Sequence, residues 1–244
     1  MEIWGMTDSG KVRQQNQDVF KTLYDEDKGI AVLVVCDGMG GARAGNVASA
    51  IAASTFMHHM GIYIEDIGTL DDIAKKMSDA VLAANVAVFE KSSHNDDYAG
   101  MGTTLTAAIS TADGEVVANI GDSRVYHVTN NSIRQITKDH SIMEDMIARG
   151  DITRAQARRH PNKHLITRAL GTNHEERPDV FFLYLNSGDH ILLCSDGLSN
   201  VVMDHEVLYE LQRGVSVRES CENLIEMALS RGAPDNVTAV IFKK

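Results

Sequence analysis

The chain has 244 residues, 43% of them hydrophobic and 23% charged, with a formal net charge of -11. That length and balance suit a single globular domain over residues 1–244 with a large core, while the acidic charge argues against general nucleic-acid binding, because phosphates would be repelled. No run approaches the roughly 20 apolar residues of a membrane span. Residues 1–20 lack the basic and apolar regions of a signal peptide, so the expected compartment is the cytoplasm. Cys36, Cys194 and Cys221 form no CxxC pair and read as buried free thiols in a reducing environment.

Residues 2–6 open as a strand. The polar, turn-rich segment TDSGKVRQQNQD (7–18) follows and carries Arg13. A guanidinium is a natural fork for phosphate, although a lone arginine is more often a surface charge. Strands are expected at 18–24 and 30–36. The second belongs to VLVVCDGMGG (32–41), an apolar run closed by glycines, which places Asp37 at the exit of a buried strand. The glycines of GMGGARAG (38–45) read as a tight turn into a helix, because no Lys-Ser/Thr follows to complete a phosphate loop. Helices are expected at about 44–60 and 70–92. In the second, Thr69 with Asp72 imitates a capping box, and Ile73, Met77, Val81, Ala84 and Val88 form an apolar stripe.

Residues 103–110, 115–120 and 124–129 read as a three-stranded meander turning at 112–114 and 121–123, with Asp122 in the second turn. The stretch 140–168 is less regular and could hold one or two short helices. From Arg149 to Arg168 it carries Arg149, Arg154, Arg158, Arg159, Lys163 and Arg168 against the single acid Asp151, a local reversal of sign in an acidic chain. Strands at 180–186 and 190–195 lead to Asp196, helices at about 204–213 and 217–231 follow, and Asp235 precedes a last strand at 237–243. Strands in runs with helices in pairs indicate an α+β fold, largely antiparallel because most connections are short.

Asp18, Asp37, Asp122, Asp196 and Asp235 thus fall at strand ends or turns. Aspartate favours turns in any case, but five beside apolar strands point to a cluster. Clustered carboxylates repel one another unless cations neutralise them, and oxygen-only ligands select Mg²⁺ or Mn²⁺ over zinc or copper. A pair of such ions lowers the pKa of a shared water and screens an incoming phosphoryl group. Asp37 is the candidate bridge, with the Gly38 carbonyl as an extra ligand, because glycine lets backbone approach closely.

The order of motifs resembles the bacterial metal-dependent protein phosphatases of type 2C, the PPM family. GKVRQQNQD (10–18), DGMGGARAGNVAS (37–49), GMGTTL (100–105), GDSR (121–124), KDHS (138–141), LITRALG (165–171), SDGL (195–198) and DNVT (235–238) follow the family's blocks nearly end to end. The resemblance implies a four-layer fold: a central β-sandwich of two antiparallel sheets with an α-helix pair on each outer face. It implies Mn²⁺ or Mg²⁺ at one end of the sandwich, with Asp37 bridging two ions, the Gly38 carbonyl on one, Asp196 and Asp235 on the other, and Asp122 in a third, weaker site. Asp18 would hydrogen-bond metal waters, Arg13 would grip the phosphate, and 140–168 would be a mobile flap.

The implied activity is hydrolysis of phosphoserine and phosphothreonine in proteins by a metal-activated water. The implied protein is a monomer acting on phosphorylated proteins, including a cognate Ser/Thr kinase. The alternatives are a catalytically dead binding module, which would usually have lost a metal aspartate, and a hydrolase of another phosphate ester. Two positions depart from the wider family. Gln17 stands where many members have Glu, and Met39 stands where the animal enzymes often have a His discussed as general acid, so the leaving-group acid is unassigned.

Overall fold

The computed structural model describes residues 1–40, 44–94 and 96–244. Its strands are β1 (Glu2–Asp8), β2 (Asp18–Asp25), β3 (Ile30–Met39), β4 (Gly102–Thr103), β5 (Leu105–Ser110), β6 (Glu115–Ile120), β7 (Arg124–Val128), β8 (Ile133–Gln135), β9 (Asp179–Leu183), β10 (His190–Cys194) and β11 (Val237–Lys243). Its helices are α1 (Gly45–Tyr63), α2 (Leu70–Ser93), α3 (Ile142–Ala148), α4 (Arg154–Ala157), α5 (Asp196–Ser199), α6 (Asp204–Gln212) and α7 (Val217–Ser230). The Gly41, Ala42 and Arg43 part of the glycine-rich block lies outside the described residues.

β3 shows why its sequence is apolar without alternation. Ile30, Val32, Val34 and Cys36 face a core shared with α1 and α2. Ala31, Leu33 and Val35 face the opposite way, against Leu193, Val240 and Phe242 of the other sheet. A strand buried on both faces has no solvent side to mark with polar residues. One sheet runs β1-β11-β10-β7-β8 and the other β2-β3-β5-β6-β9, with β4 attached to β3. The pairings are antiparallel.

The expected helix pairs cover the two outer faces. Phe56 and Met60 of α1 join the α2 stripe Ile73, Met77, Val81, Ala84 and Val88 over one sheet. Val207 and Leu211 of α6, with Cys221, Leu224, Ile225 and Ala228 of α7, cover the other. Each of the larger ones (Val, Leu, Ile, Phe, Met) is worth about 1.5–3 kcal/mol buried rather than exposed. The capping box also forms: Thr69 Oγ1 accepts from the Asp72 amide at 3.3 Å, and Asp72 Oδ2 accepts from the Thr69 amide at 2.9 Å.

The meander expected over 103–129 forms only in its first hairpin, β5 with β6. At 121–123 the chain crosses between sheets, and β7 pairs with β10 and β8. Gly121 adopts φ +105°, where a Cβ would lie 2.5 Å from Thr104 Cγ2. Ser123 is pinned to the same segment, its hydroxyl 2.9 Å from Thr104 Oγ1 and its carbonyl accepting from Thr106 Oγ1 of β5 at 3.2 Å. These contacts leave no room for a two-strand reversal and carry Asp122 to the rim of the sandwich. The strand expected over 103–110 is interrupted at Thr104, whose amide donates to the Asp37 carbonyl at 2.9 Å. The strand expected over 180–186 ends at Leu183, and β8 and α5 were not anticipated.

The segment 140–168 folds out from one end of the sandwich and carries α3 and α4. Its two roots are stitched together by a bridge between Ser141 and Ile166. The Thr167 amide donates to the His140 carbonyl at 2.8 Å, and the Ile142 amide to the Leu165 carbonyl at 3.1 Å.

Candidate metal centre

β2 starts and β3 ends at the same end of the sandwich, and their register sets Asp18 directly opposite Asp37. In the facing sheet, β10 stops just before Asp196 and β11 starts just after Asp235. The crossing at 121–123 delivers Asp122 to the same rim. Asp37, Gly38, Asp122, Asp196 and Asp235 line a cleft of about 910 Å³, with Arg13 at its edge and Lys163 and His164 reaching in from the 140–168 segment. All seven residues singled out in the sequence therefore gather at one end of the fold, Asp18 from behind Asp37.

The electrostatics follow from this crowding. Burial pushes the Asp37 carboxyl well above the ordinary range, and the charges of Asp18, Asp196, Asp122 and Asp235 push it further. Asp122 is raised by burial first, then by Asp196 and Asp139, against the opposing pull of Arg124. Asp18 rises to about 7, chiefly by burial, although bonds from Thr238 and Ser195 hold it down.

Asp18 is the most specific feature of the site. Its Oδ2 accepts from Ser195 Oγ and from Thr238 Oγ1, each at 2.7 Å. Its Oδ1 is buried with no protein partner. A buried carboxylate oxygen without a partner costs free energy. Two hydroxyls therefore hold the carboxylate with one oxygen left for a water or a cation.

Among the described residues, no three His, Cys, Asp or Glu side chains close into a ready-made ligand cluster. Asp235 is engaged by Arg13, whose Nη2 donates to Oδ2 at 2.7 Å. That bond, with the charges of Asp37 and Asp196, raises the Arg13 guanidinium above its ordinary value. The donor set is nonetheless one that a hard divalent cation fits: carboxylates and a glycine carbonyl on stiff strand ends, mutually repelling, with an orphaned oxygen behind them.

Four supporting residues escaped the sequence reading. Thr104 Oγ1 accepts from the Asp37 amide at 2.9 Å. Ser195 and Thr238 orient Asp18. Asn236 Oδ1 accepts from the Gln17 amide at 2.9 Å, and its Nδ2 donates to the carbonyls of Ser9 and Gln15, fastening the loop that carries Arg13. Their signal was adjacency: Ser195 and Asn236 sit beside candidate aspartates, and Thr238 and Thr104 lie within the same motif blocks.

The raised carboxyls predict how stability depends on pH. In EDTA-treated protein, Asp18 takes up a proton on folding between its ordinary value of 3.8 and about 7. Its contribution is therefore complete below that window and is lost as pH rises through it, and Asp37 and Asp122 act in the same direction. Urea midpoints should be lower at about pH 8 than at about pH 5, and added Mn²⁺ should reverse the order, because a cation competes with protons for the same oxygens. A midpoint that rises with pH in EDTA would show that the acids do not repel one another as described.

Comparison with known proteins finds relatives over nearly the whole chain. The sequence profile of the family described as Protein phosphatase 2C matches residues 9–236. The serine/threonine phosphatase stp of Listeria welshimeri is 34% identical over 238 residues, covering 98% of this chain and 94% of that protein. The structure of the S. agalactiae serine/threonine phosphatase superposes with a TM-score of 0.91 at 31% identity, covering 100% of this chain and 99% of that one. The catalytic domain of serine threonine protein phosphatase PstP, solved in complex with 2 manganese ions, superposes with a TM-score of 0.84 at 37% identity over 98% of this chain and 96% of that one.

Proposed function

The chain belongs to the protein phosphatase 2C family, and from that premise we propose that it hydrolyses phosphoserine and phosphothreonine in proteins at the carboxylate-lined cleft, in a metal-dependent reaction. The observation that carries this reading is the convergence of Asp37, Asp122, Asp196 and Asp235 on one cleft, with the bare Asp18 Oδ1 behind them. Asp37, the Gly38 carbonyl, Asp196 and Asp235 would hold two Mn²⁺ or Mg²⁺ ions, and Asp122 would serve a third, weaker site. Bound ions would supply positive charge for the phosphoryl oxygens and acidify water. Asp18 would accept a hydrogen bond from water in the cleft and fix its orientation.

Arg13 would exchange Asp235 for the substrate phosphate. Its side chain is 54% exposed, so it is free to swing, and a planar guanidinium suits a tetrahedral anion. The domain would act as a cytoplasmic monomer and reverse a Ser/Thr protein kinase, with that kinase among its substrates. The decisive test is phosphate release from a phosphothreonine peptide with Mn²⁺ and with EDTA. Release confined to the Mn²⁺ arm supports the reading. No release in either arm would favour a binding module, and release from small phosphate esters alone would favour another hydrolase.

Arg13→Ala should raise KM for phosphothreonine peptide more than it lowers kcat, because the lost contact serves the ground state and the transition state alike. An unchanged KM with a collapsed kcat would place Arg13 in transition-state stabilisation instead.

The flap segment bears on peptide preference. Arg149 pairs with Asp151, Arg154 with Glu144, and Arg168 with Glu176 and Asp179. Among the described residues, Arg158, Arg159 and Lys163 have no such carboxylate partner. Reversing Arg158 and Arg159 to Glu should impair phosphopeptides with acidic flanks more than p-nitrophenyl phosphate, and the difference should shrink in high salt. Equal losses on both substrates would reduce the stretch to scaffold.

A further inference from the structure

The KDHS motif has no role in the reading above, yet His140 sits at the junction between the flap root and the crossing that carries Asp122. Only 8% of His140 is exposed. It holds Gly121 at both ends: its own amide donates to the Gly121 carbonyl at 2.9 Å, and its Nδ1 accepts from the Gly121 amide at 3.1 Å. An Nδ1 that accepts from an amide carries no proton, so the proton stands on Nε2. Nε2 faces Asp179 Oδ2 at 3.2 Å, and Arg168 Nη1, 3.1 Å from the same nitrogen, donates to Asp179 Oδ1 at 2.8 Å. On the other side of Asp122, Ser123 is held by Thr104, which also holds the backbone of Asp37.

We propose that His140 is a positioning residue that fixes the Asp122 carboxylate relative to Asp37 by clamping Gly121, and that the Arg168–Asp179 pair sets the imidazole so that the flap root and the Asp122 position move together. The backbone argument is specific. Gly121 lies in a region of φ where glycine has wide freedom, so the residue before Asp122 is a natural pivot unless something grips it. His140 grips its donor and its acceptor at once. The Arg168–Asp179–His140 chain then links that grip to the LITRALG segment that closes the flap.

This inference rests on Asp122 serving a weak metal site, so its test reads both metal binding and backbone. Wild type, His140→Ala, His140→Asn and His140→Gln are titrated with Mn²⁺ by calorimetry, and amide exchange at Gly121 is followed in the same proteins. Asn sets its Oδ1 where Nδ1 stands and keeps the Gly121 bond, whereas Gln reaches the Nε2 position and keeps the bond to Asp179. The Ala and Gln variants should weaken the low-affinity Mn²⁺ step by about 10- to 100-fold, the range seen when partners behind a ligand are removed. The tight steps should stay unchanged, exchange at Gly121 should accelerate, and Asn should restore both properties.

Wild-type Mn²⁺ binding in His140→Ala, or equal weakening in Asn and Gln, would overturn the proposal. If the Ala variant does not fold, the contrast between Asn and Gln decides. A wild-type titration with no weak step would refute the metal reading of Asp122. Gly121 exchange then judges the clamp alone: unchanged exchange in His140→Gln overturns it, and faster exchange restored by Asn supports it.

Discussion

Asp37→Asn should lose about 100-fold or more in kcat/KM for phosphothreonine peptide with saturating Mn²⁺, about 2.7 kcal/mol of barrier, the scale expected for one electrostatic element. The substitution is nearly isosteric. The backbone of Asp37 is fixed on both sides by Thr104, whose Oγ1 accepts from the Asp37 amide and whose amide donates to the Asp37 carbonyl, each at 2.9 Å. The fold should therefore survive. In EDTA at about pH 8 the variant should in fact melt higher than wild type, because it removes the charge that Asp18, Asp196, Asp122 and Asp235 all oppose. That opposite movement of stability and activity separates a lost ligand from a damaged core. Mn²⁺ calorimetry on the same variant should show a lost tight step. Turnover near wild type would sink the bridging role of Asp37.

Much of this molecule was readable from the chain, for reasons that differ by element. β3 announces itself because both of its faces are buried, so every position from Ile30 to Cys36 is apolar. The Asp-Gly that follows marks where the strand meets the cleft. The α2 stripe was legible because one face of a long helix packs on one sheet. Other features depend on contacts between distant segments. Arg13 meets Asp235 across the whole length of the chain, and nothing local in either segment specifies the pairing. The sheet switch at 121–123 looks locally like any glycine turn. What makes it a crossing is Thr104, whose side chain fills the space beside Gly121. The short α5 and β8 have too few residues to show a period. Asp37 as a bridge was legible beside its glycine, the roles of the other aspartates came from family resemblance, and the orphaned Asp18 oxygen needed coordinates.

Gly38→Ala should be among the most damaging single methyls in the site. A Cβ on Gly38 would lie 2.0 Å from the Gly45 carbonyl oxygen and 2.8 Å from the Gln17 carbonyl oxygen. Both obstacles are backbone, so no rotamer change relieves them. Gln17 is tied in turn, accepting from the Gly38 amide at 3.1 Å and from Ser49 Oγ of α1 at 2.6 Å. The contact joins the exit of β3, the entry to β2 and the first turn of α1, so a shift there moves Asp37 and Asp18 relative to each other. Overpacking of this kind costs about 3 kcal/mol, which for a chain of this size lowers Tm by roughly 6–12 °C. Gly45→Ala makes the matched experiment, since its Cβ would meet the carbonyl carbon of Gly38 at 2.8 Å from the helix side. Both variants should melt early, and both should need more Mn²⁺ for half-maximal activity. Wild-type melting of Gly38→Ala would mean that α1 and β3 are packed more loosely than these distances describe. Early melting with unchanged Mn²⁺ demand would remove the Gly38 carbonyl from the ligand set.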